Sequence, residues 1–171
     1  MILRSLFSLI VAGAVLSAPA SAVAADRGPS TPEERSQALQ YIRDFKSNPL
    51  GPNAKKEREW VVLWLIEVPD IHVNACLILE NQPKGNKKDA DTIFAAQLMS
   101  QAELVLEHPD LQNDQQGQYL AGVNGALDVY ALLVKANPKD QQPYMDELLQ
   151  KRTAGTLEQY VKDRVAKSCS K

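Results

Sequence analysis

Leu120-Ala121-Gly122-Val123-Asn124-Gly125-Ala126-Leu127-Asp128-Val129-Tyr130-Ala131-Leu132-Leu133-Val134 is the stretch that decides the fold. Leu120, Val123, Leu127, Tyr130 and Val134 recur at three-four spacing, which gathers them on one side of a helix as the seam of a bundle. The element extends from about Asn113 to Asn137 and is the longest in the chain. Gly117, Gly122 and Gly125 interrupt it, each costing about 0.8–1 kcal/mol of helix propensity relative to alanine. Close approach of a neighbouring helix at Gly122 and Gly125 would compensate, and the tryptophan-bearing helix upstream is the expected neighbour.

Working outward, Pro32, Pro49, Pro52, Pro69, Pro83, Pro109, Pro138 and Pro143 stand at the edges of periodic segments. Thr31, Pro32 and Glu34 spell an N-cap and capping box, followed by Leu39, Ile42 and Phe45 at helical spacing. A second helix, from about Asn53 to Glu67, presents Trp60 to Ile66 as an unbroken apolar run, which predicts burial on most sides and a central position. Asp70 is expected to cap a short helix over Ile71 to Asn81. The run Val73 to Leu79 would also suit a strand, but no partner strand exists. Pro83 to Lys88 is a polar loop. Asp89 or Asp91 then caps a helix with the stripe Phe94, Leu98, Ala102 and Val105, ending before Pro109. Beyond the long helix, Asp140 is expected to cap a helix that Gly155 ends, and Thr156 with Gln159 forms a second capping box. Leu157, Val161, Val165 and Cys169 share one face of the last helix. The fold class is all-α, an irregular bundle of about six to seven helices.

The N-terminus carries Arg4, an apolar run from Leu6 to Leu16 and the small residues Ala20-Ser21-Ala22-Val23-Ala24, the three parts of a secretory signal peptide. We therefore divide the chain into a leader over 1–24, a short flexible segment over 25–30 and one helical domain over 31–171. Cleavage of the 171-residue chain after Ala24 leaves 147 residues, a single-domain length. It removes one basic residue and no acid, moving the net charge from −2 to −3. Mild acidity argues against a nucleic-acid partner, which requires a clustered basic surface. No later apolar run spans a bilayer, so the expected product is exported and soluble, periplasmic or secreted, without membrane association after cleavage. Cys76 and Cys169 are the only cysteines, and in an exported chain they read as one disulfide.

Candidate chemistry is sparse. The two histidines, His72 and His108, belong to no spaced metal-ligand motif, and no cofactor signature is present. His72 with Glu67 and Asp70 is the best acid-base group the chain offers, in a stretch that caps and loops also explain. The carboxylate pairs Glu103/Glu107 and Asp146/Glu147 are of the kind helical surfaces generate freely. His108-Pro109-Asp110 resembles the interhelical tripeptide of J-domain co-chaperones, but Glu103 and Glu107 replace that family's basic preceding helix, and the tripeptide reads as a helix stop. Ala126 to Tyr130 with Ala136-Asn137-Pro138-Lys139-Asp140 is similar to the second helix of a tetratricopeptide repeat. Helix ends at Pro69, Pro109 and Pro138 lie 40 and 29 residues apart, however, and a solenoid keeps a constant period. Tyr119 to Leu127, with a cysteine near the C-terminus, is similar to exported helical immunity proteins that neutralise type VI secretion effectors. Gln118 stands where that pattern leads one to expect a cysteine, so the disulfide arrangement would differ.

No catalytic, cofactor-binding or metal-binding residues are assigned. The reading is an exported helical protein-binding module, without catalysis, that meets a protein partner in the envelope or extracellular space. It would act through a rigid helical face or a groove beside the glycine-bearing helix. The alternatives are a small exported hydrolase acting on a wall polymer or peptide through His72, Glu67 and Asp70, and a carrier holding a small apolar ligand beneath Trp60 and Trp64.

Overall fold

The computed structural model describes residues 27–76, 78, 79 and 89–169. Six α-helices are present among them: α1 (Pro32–Ser47), α2 (Ala54–Glu67), α3 (Ala90–Glu107), α4 (Gln115–Ala136), α5 (Pro143–Thr153) and α6 (Leu157–Ser168). Short 3-10 turns, Pro109–Asn113 and Pro138–Asp140, flank α4. No strand occurs among the described residues, and the all-helical class is as expected. Residues 1–24 and the polar loop at 83–88 lie outside the described residues.

The centre is the α3–α4 pair, and α2 is peripheral, contrary to expectation. Every side chain from Ala95 to Ala102 is buried, so α3 is enclosed on all sides. Its alanines and Ser100 let α4 approach where Gly122 and Gly125 have no side chain. A Cβ on Gly125 would fall 1.8 Å from Ser100 Oγ and 2.5 Å from Ser100 Cβ, and one on Gly122 would fall 2.8 Å from the Gln97 carbonyl oxygen. The close packing anticipated at both glycines is therefore present, with α3 as the neighbour. Tryptophans could not fill that role, because their width holds backbones apart. On α2 only Ala54, Val61 and Trp64 are buried.

Around this pair lie Ile42 and Phe45 of α1, Met145 and Leu148 of α5, and Leu157, Val161 and Val165 of α6. A satellite cluster of Ala38, Trp64, Val68, Ile71 and Val105 seals α1 and α2 onto α3. Full burial of such aliphatic and aromatic side chains stabilises by about 1.5–3 kcal/mol each. Cys76 and Cys169 are bonded, tying the end of α6 to the segment after α2.

The helix starts and four departures from expectation follow from particular contacts. Thr31 and Glu34 form the capping box at α1, and the Asp114 side chain accepts from the Gly117 N–H at α4. Asp89 precedes α3 with φ 63° and no side-chain cap. Asp140 does not cap α5. The residue before that helix is Gln142, whose N–H donates to the Tyr130 hydroxyl at 2.7 Å, while that hydroxyl donates to Asp146 Oδ1 at 2.7 Å. A buried tyrosine of α4 thus does the capping, and burial pushes its own hydroxyl up to about 12. Thr156 and Gln159 form no box at α6: Thr156 Oγ1 donates back to Lys151 O at 3.4 Å and Gln159 to Asp163 at 2.9 Å. Gly155 ends α5 at φ 71°, a left-handed conformation that glycine adopts without steric penalty.

The fourth departure is the segment after α2. Residues 71–76 form no helix, where one over Ile71 to Asn81 was expected, and Asn74 and Cys76 bond to α3 in the alternating pattern of extended chain; Leu77, Glu80 and Asn81 lie outside the described residues. Side chains on α3 supply what a partner strand would. Asn74 N–H donates to Gln101 Oε1 at 2.8 Å and Gln101 Nε2 donates to Asn74 O at 3.1 Å. One turn earlier, Gln97 Nε2 donates to Cys76 O at 3.1 Å. The Asn74 side chain is held in turn by Gln118 Oε1 at 2.7 Å and Gln115 Nε2 at 3.2 Å. Backbone groups that would be orphaned beside an apolar helix are thereby paired.

Candidate functional site

The outer face of α2 is where sequence pattern and burial part company. Trp60 and Trp64, one turn apart, stack with centroids 6.0 Å apart and planes 11° from parallel, and Tyr41 of α1 meets Trp60 edge-on at 5.3 Å. The aromatic pair fixes α2 on α1 and leaves the next stripe of the helix uncovered. Leu63 is 60% and Ile66 75% exposed. Two large aliphatic side chains at i, i+3 are neighbours on the helix surface, so Leu63 and Ile66 lie side by side in solvent.

Beside it lies an open cleft of about 270 Å³ lined by Arg27, Glu34, Trp60, Leu63, Trp64 and Glu67. Arg27 bridges its rim, paired with Glu34 and, at 3.2 Å, with Glu67. The Thr31 backbone N–H, with help from Arg27, holds the Glu34 carboxyl below the usual carboxylate range against the opposing effect of burial. The Trp64 indole N–H contributes to that effect yet is buried without an acceptor in hydrogen-bonding geometry. Small-molecule pockets have volumes of about 300–1,000 Å³ and enclose most of their ligand. This one is smaller, open, and rimmed by three charged groups, a poor match for a sequestered apolar cargo beneath the tryptophans.

The acid-base group does not converge. Glu67 lies on the cleft rim, whereas Asp70 does not line it and accepts from Ser30 N–H at 2.8 Å, Ser30 Oγ at 2.8 Å and Arg35 at 2.7 Å. Burial raises the Asp70 pKa, but these bonds outweigh it and the net shift is downward. Asp70 is thus a clamp on the chain ahead of α1, so that in place of a free tail at 27–30, Arg27 and Ser30 are held. His72 is exposed, its Nδ1 3.3 Å from Gln112 Nε2. His108 closes α3 as its C-cap. Glu103 and Glu107 are paired with Lys46 and Arg43 of α1. Asp146 holds Tyr130 and Glu147 meets Lys151 at 3.2 Å. Among the described residues no cluster of three or more His, Cys, Asp or Glu side chains could hold a metal.

The glycine-bearing side of α4 offers no groove, because α3 fills it. Sequence reasoning passed over the exposed pair Leu63 and Ile66, which a buried-run reading hides. It also passed over Gln97, Gln101 and Gln118, all fully buried. The available signal was two glutamines one turn apart among alanines on an otherwise apolar helix. No helix among the described residues is long and apolar enough to cross a membrane. No family model matches the chain, and no curated protein or solved structure matches it either.

Proposed function

We propose that this is an exported helical interaction protein that binds a protein partner of the envelope or extracellular space through the outer face of α2. The observation that carries the reading is the exposure of Leu63 and Ile66 beside a rigid tryptophan stack. Apolar anchors on a pre-ordered helix bind with little entropy to lose, and the ion pairs of Arg27 supply a polar rim. Export is supported by the leader-like residues 1–24 and by the Cys76–Cys169 bridge, since disulfides persist in oxidising compartments.

The test is crosslinked affinity capture of the tagged mature protein from its own cell envelope and medium, beside a Leu63→Lys, Ile66→Lys variant. Both positions are exposed, so the variant should fold normally. Interface anchors are worth about 2 kcal/mol or more each, so a partner held by the native protein should be lost from the variant. A partner retained equally by both proteins would remove α2 from the interface.

A further inference from the structure

The segment after α2, whose bonds at Asn74 and Cys76 alternate as in extended chain, presents a second surface that does not depend on the reading of α2. In extended chain, the N–H and C=O of one residue point to one side and those of the next residue to the other. Asn74 turns both groups to Gln101, and the Cys76 carbonyl, two residues on, turns to Gln97. The N–H and C=O of Val73 and Ala75 therefore face the opposite side. Among the described residues no hydrogen bond reaches either pair. Ala75 and His72 are exposed, and Val73 is half-buried against the core.

We infer that this edge is a docking site for an extended polypeptide segment of a protein partner, added as a strand along Val73 to Ala75. Two donors and two acceptors recur here at the two-residue interval of extended chain, about 6.6–6.8 Å. Only another extended main chain offers complementary groups at that interval, because a helix uses its own internally. The edge is pre-formed: Gln97 and Gln101 hold it from behind and Cys76 is bonded to Cys169. A small side chain at Ala75 leaves the approach open. Recognition is by main chain, so the sequence preference of the bound segment is loose and is set by the neighbouring side chains.

A random-peptide library is selected on the oxidised mature protein, and the winners are titrated into 15N-labelled protein. The expected result is a shift of the Val73 and Ala75 amide signals. Ala75→Pro removes one free donor and places a ring on the edge, so it should weaken binding by about tenfold or more, while Ala75→Val should retain it. N-methylation of the peptides at alternate residues should abolish binding without altering the protein, which keeps the test valid if the proline variant folds poorly. A library that yields no binder, or binders indifferent to both changes, overturns the proposal. Binders lost on Leu63→Lys alone belong to α2 and also overturn it. A dimer abolished by Ala75→Pro would place a second copy on the edge and overturn the assignment to a partner.

Discussion

Adding one methyl group at Gly125 should destabilise the fold measurably even though it favours the helix. Alanine gains about 1 kcal/mol of propensity over glycine within α4. Against this, the new Cβ would lie 1.8 Å from Ser100 Oγ and 2.5 Å from Ser100 Cβ. The hydroxyl can rotate away, but Ser100 Cβ is fixed to the α3 backbone, so the two central helices must separate. Such overpacking costs about 1–3 kcal/mol, and a rigid obstacle puts Gly125→Ala at the upper end, a net loss of about 1–2 kcal/mol. At this chain length that lowers Tm by about 2–8 °C. Moving the gap to the other helix should restore the fit: with Ser100→Gly, the nearest remaining atom is Ala96 O at 3.5 Å. Ser100→Gly alone should cost about 0.5 kcal/mol of propensity, partly offset by removing a buried hydroxyl that has no hydrogen-bond partner. Urea unfolding of the four oxidised proteins gives the coupling energy directly. If Gly125→Ala were as stable as the parent, or if the double variant were no better than the sum of the singles, the close α3–α4 contact would be refuted.

Gln101→Leu should cost about 2–3 kcal/mol, because two hydrogen bonds to Asn74 are lost and its partly buried backbone groups are left unpaired; denaturant unfolding gives the loss, and hydrogen exchange should show faster exchange of Asn74 N–H. Asp70 has its folded pKa below the usual 3.8, so its stabilising contribution is complete above that value and is lost as the pH falls through the folded pKa. Asp70→Asn should therefore be less stable at neutral pH and flatten the acid limb of the stability profile below about pH 4, and parallel profiles for the two proteins would contradict this. Replacing both cysteines by serine opens a closure 93 residues apart and should cost about 4–5 kcal/mol in the chain-entropy model. Circular dichroism should still show the native helix content, since Leu157, Val161 and Val165 bury α6 without the bridge.

Helices with strong local signals were legible in the chain. Thr31-Pro32-Glu34, the stop at His108-Pro109 and Gly155 each act through atoms within a few residues, and each does in the structure what its spelling implies. The pairing of Cys76 with Cys169 followed from there being only two cysteines. What was not legible depends on who the neighbour is. An apolar run such as Trp60 to Ile66 does not say which side stays dry, and Tyr41, which determines that by meeting Trp60, is far off in sequence. Likewise, Val73 to Cys76 lacks a partner strand only if partners are sought among strands. The groups that meet it are amides on α3 and α4, 21 to 44 residues away. Asp140 and Thr156 are good caps by composition, yet Tyr130 displaces the one, and the turn at Gly155 draws the other back toward Lys151. For the candidate site, the tryptophans were visible as residues, but the exposure of Leu63 and Ile66 is a property of the assembled bundle.

The glutamines of α3 also have a metrical consequence. Four residues of α-helix advance about 6 Å, and two residues of extended chain advance about 6.6 Å. Gln97 and Gln101 are thus graduated almost at the interval of the Cys76 and Asn74 carbonyls they hold, with the two chains running in opposite senses. The scales drift apart by about 0.6 Å per step, so a helix can gauge an extended chain over only a step or two. That drift limits how long such a segment can be. Slipping the chain by one residue would turn Asn74 outward and carry Cys76 away from Cys169. The two amides thus act as a ruler that sets which residues of the segment face α3, and Cys76 lies within the stretch they measure.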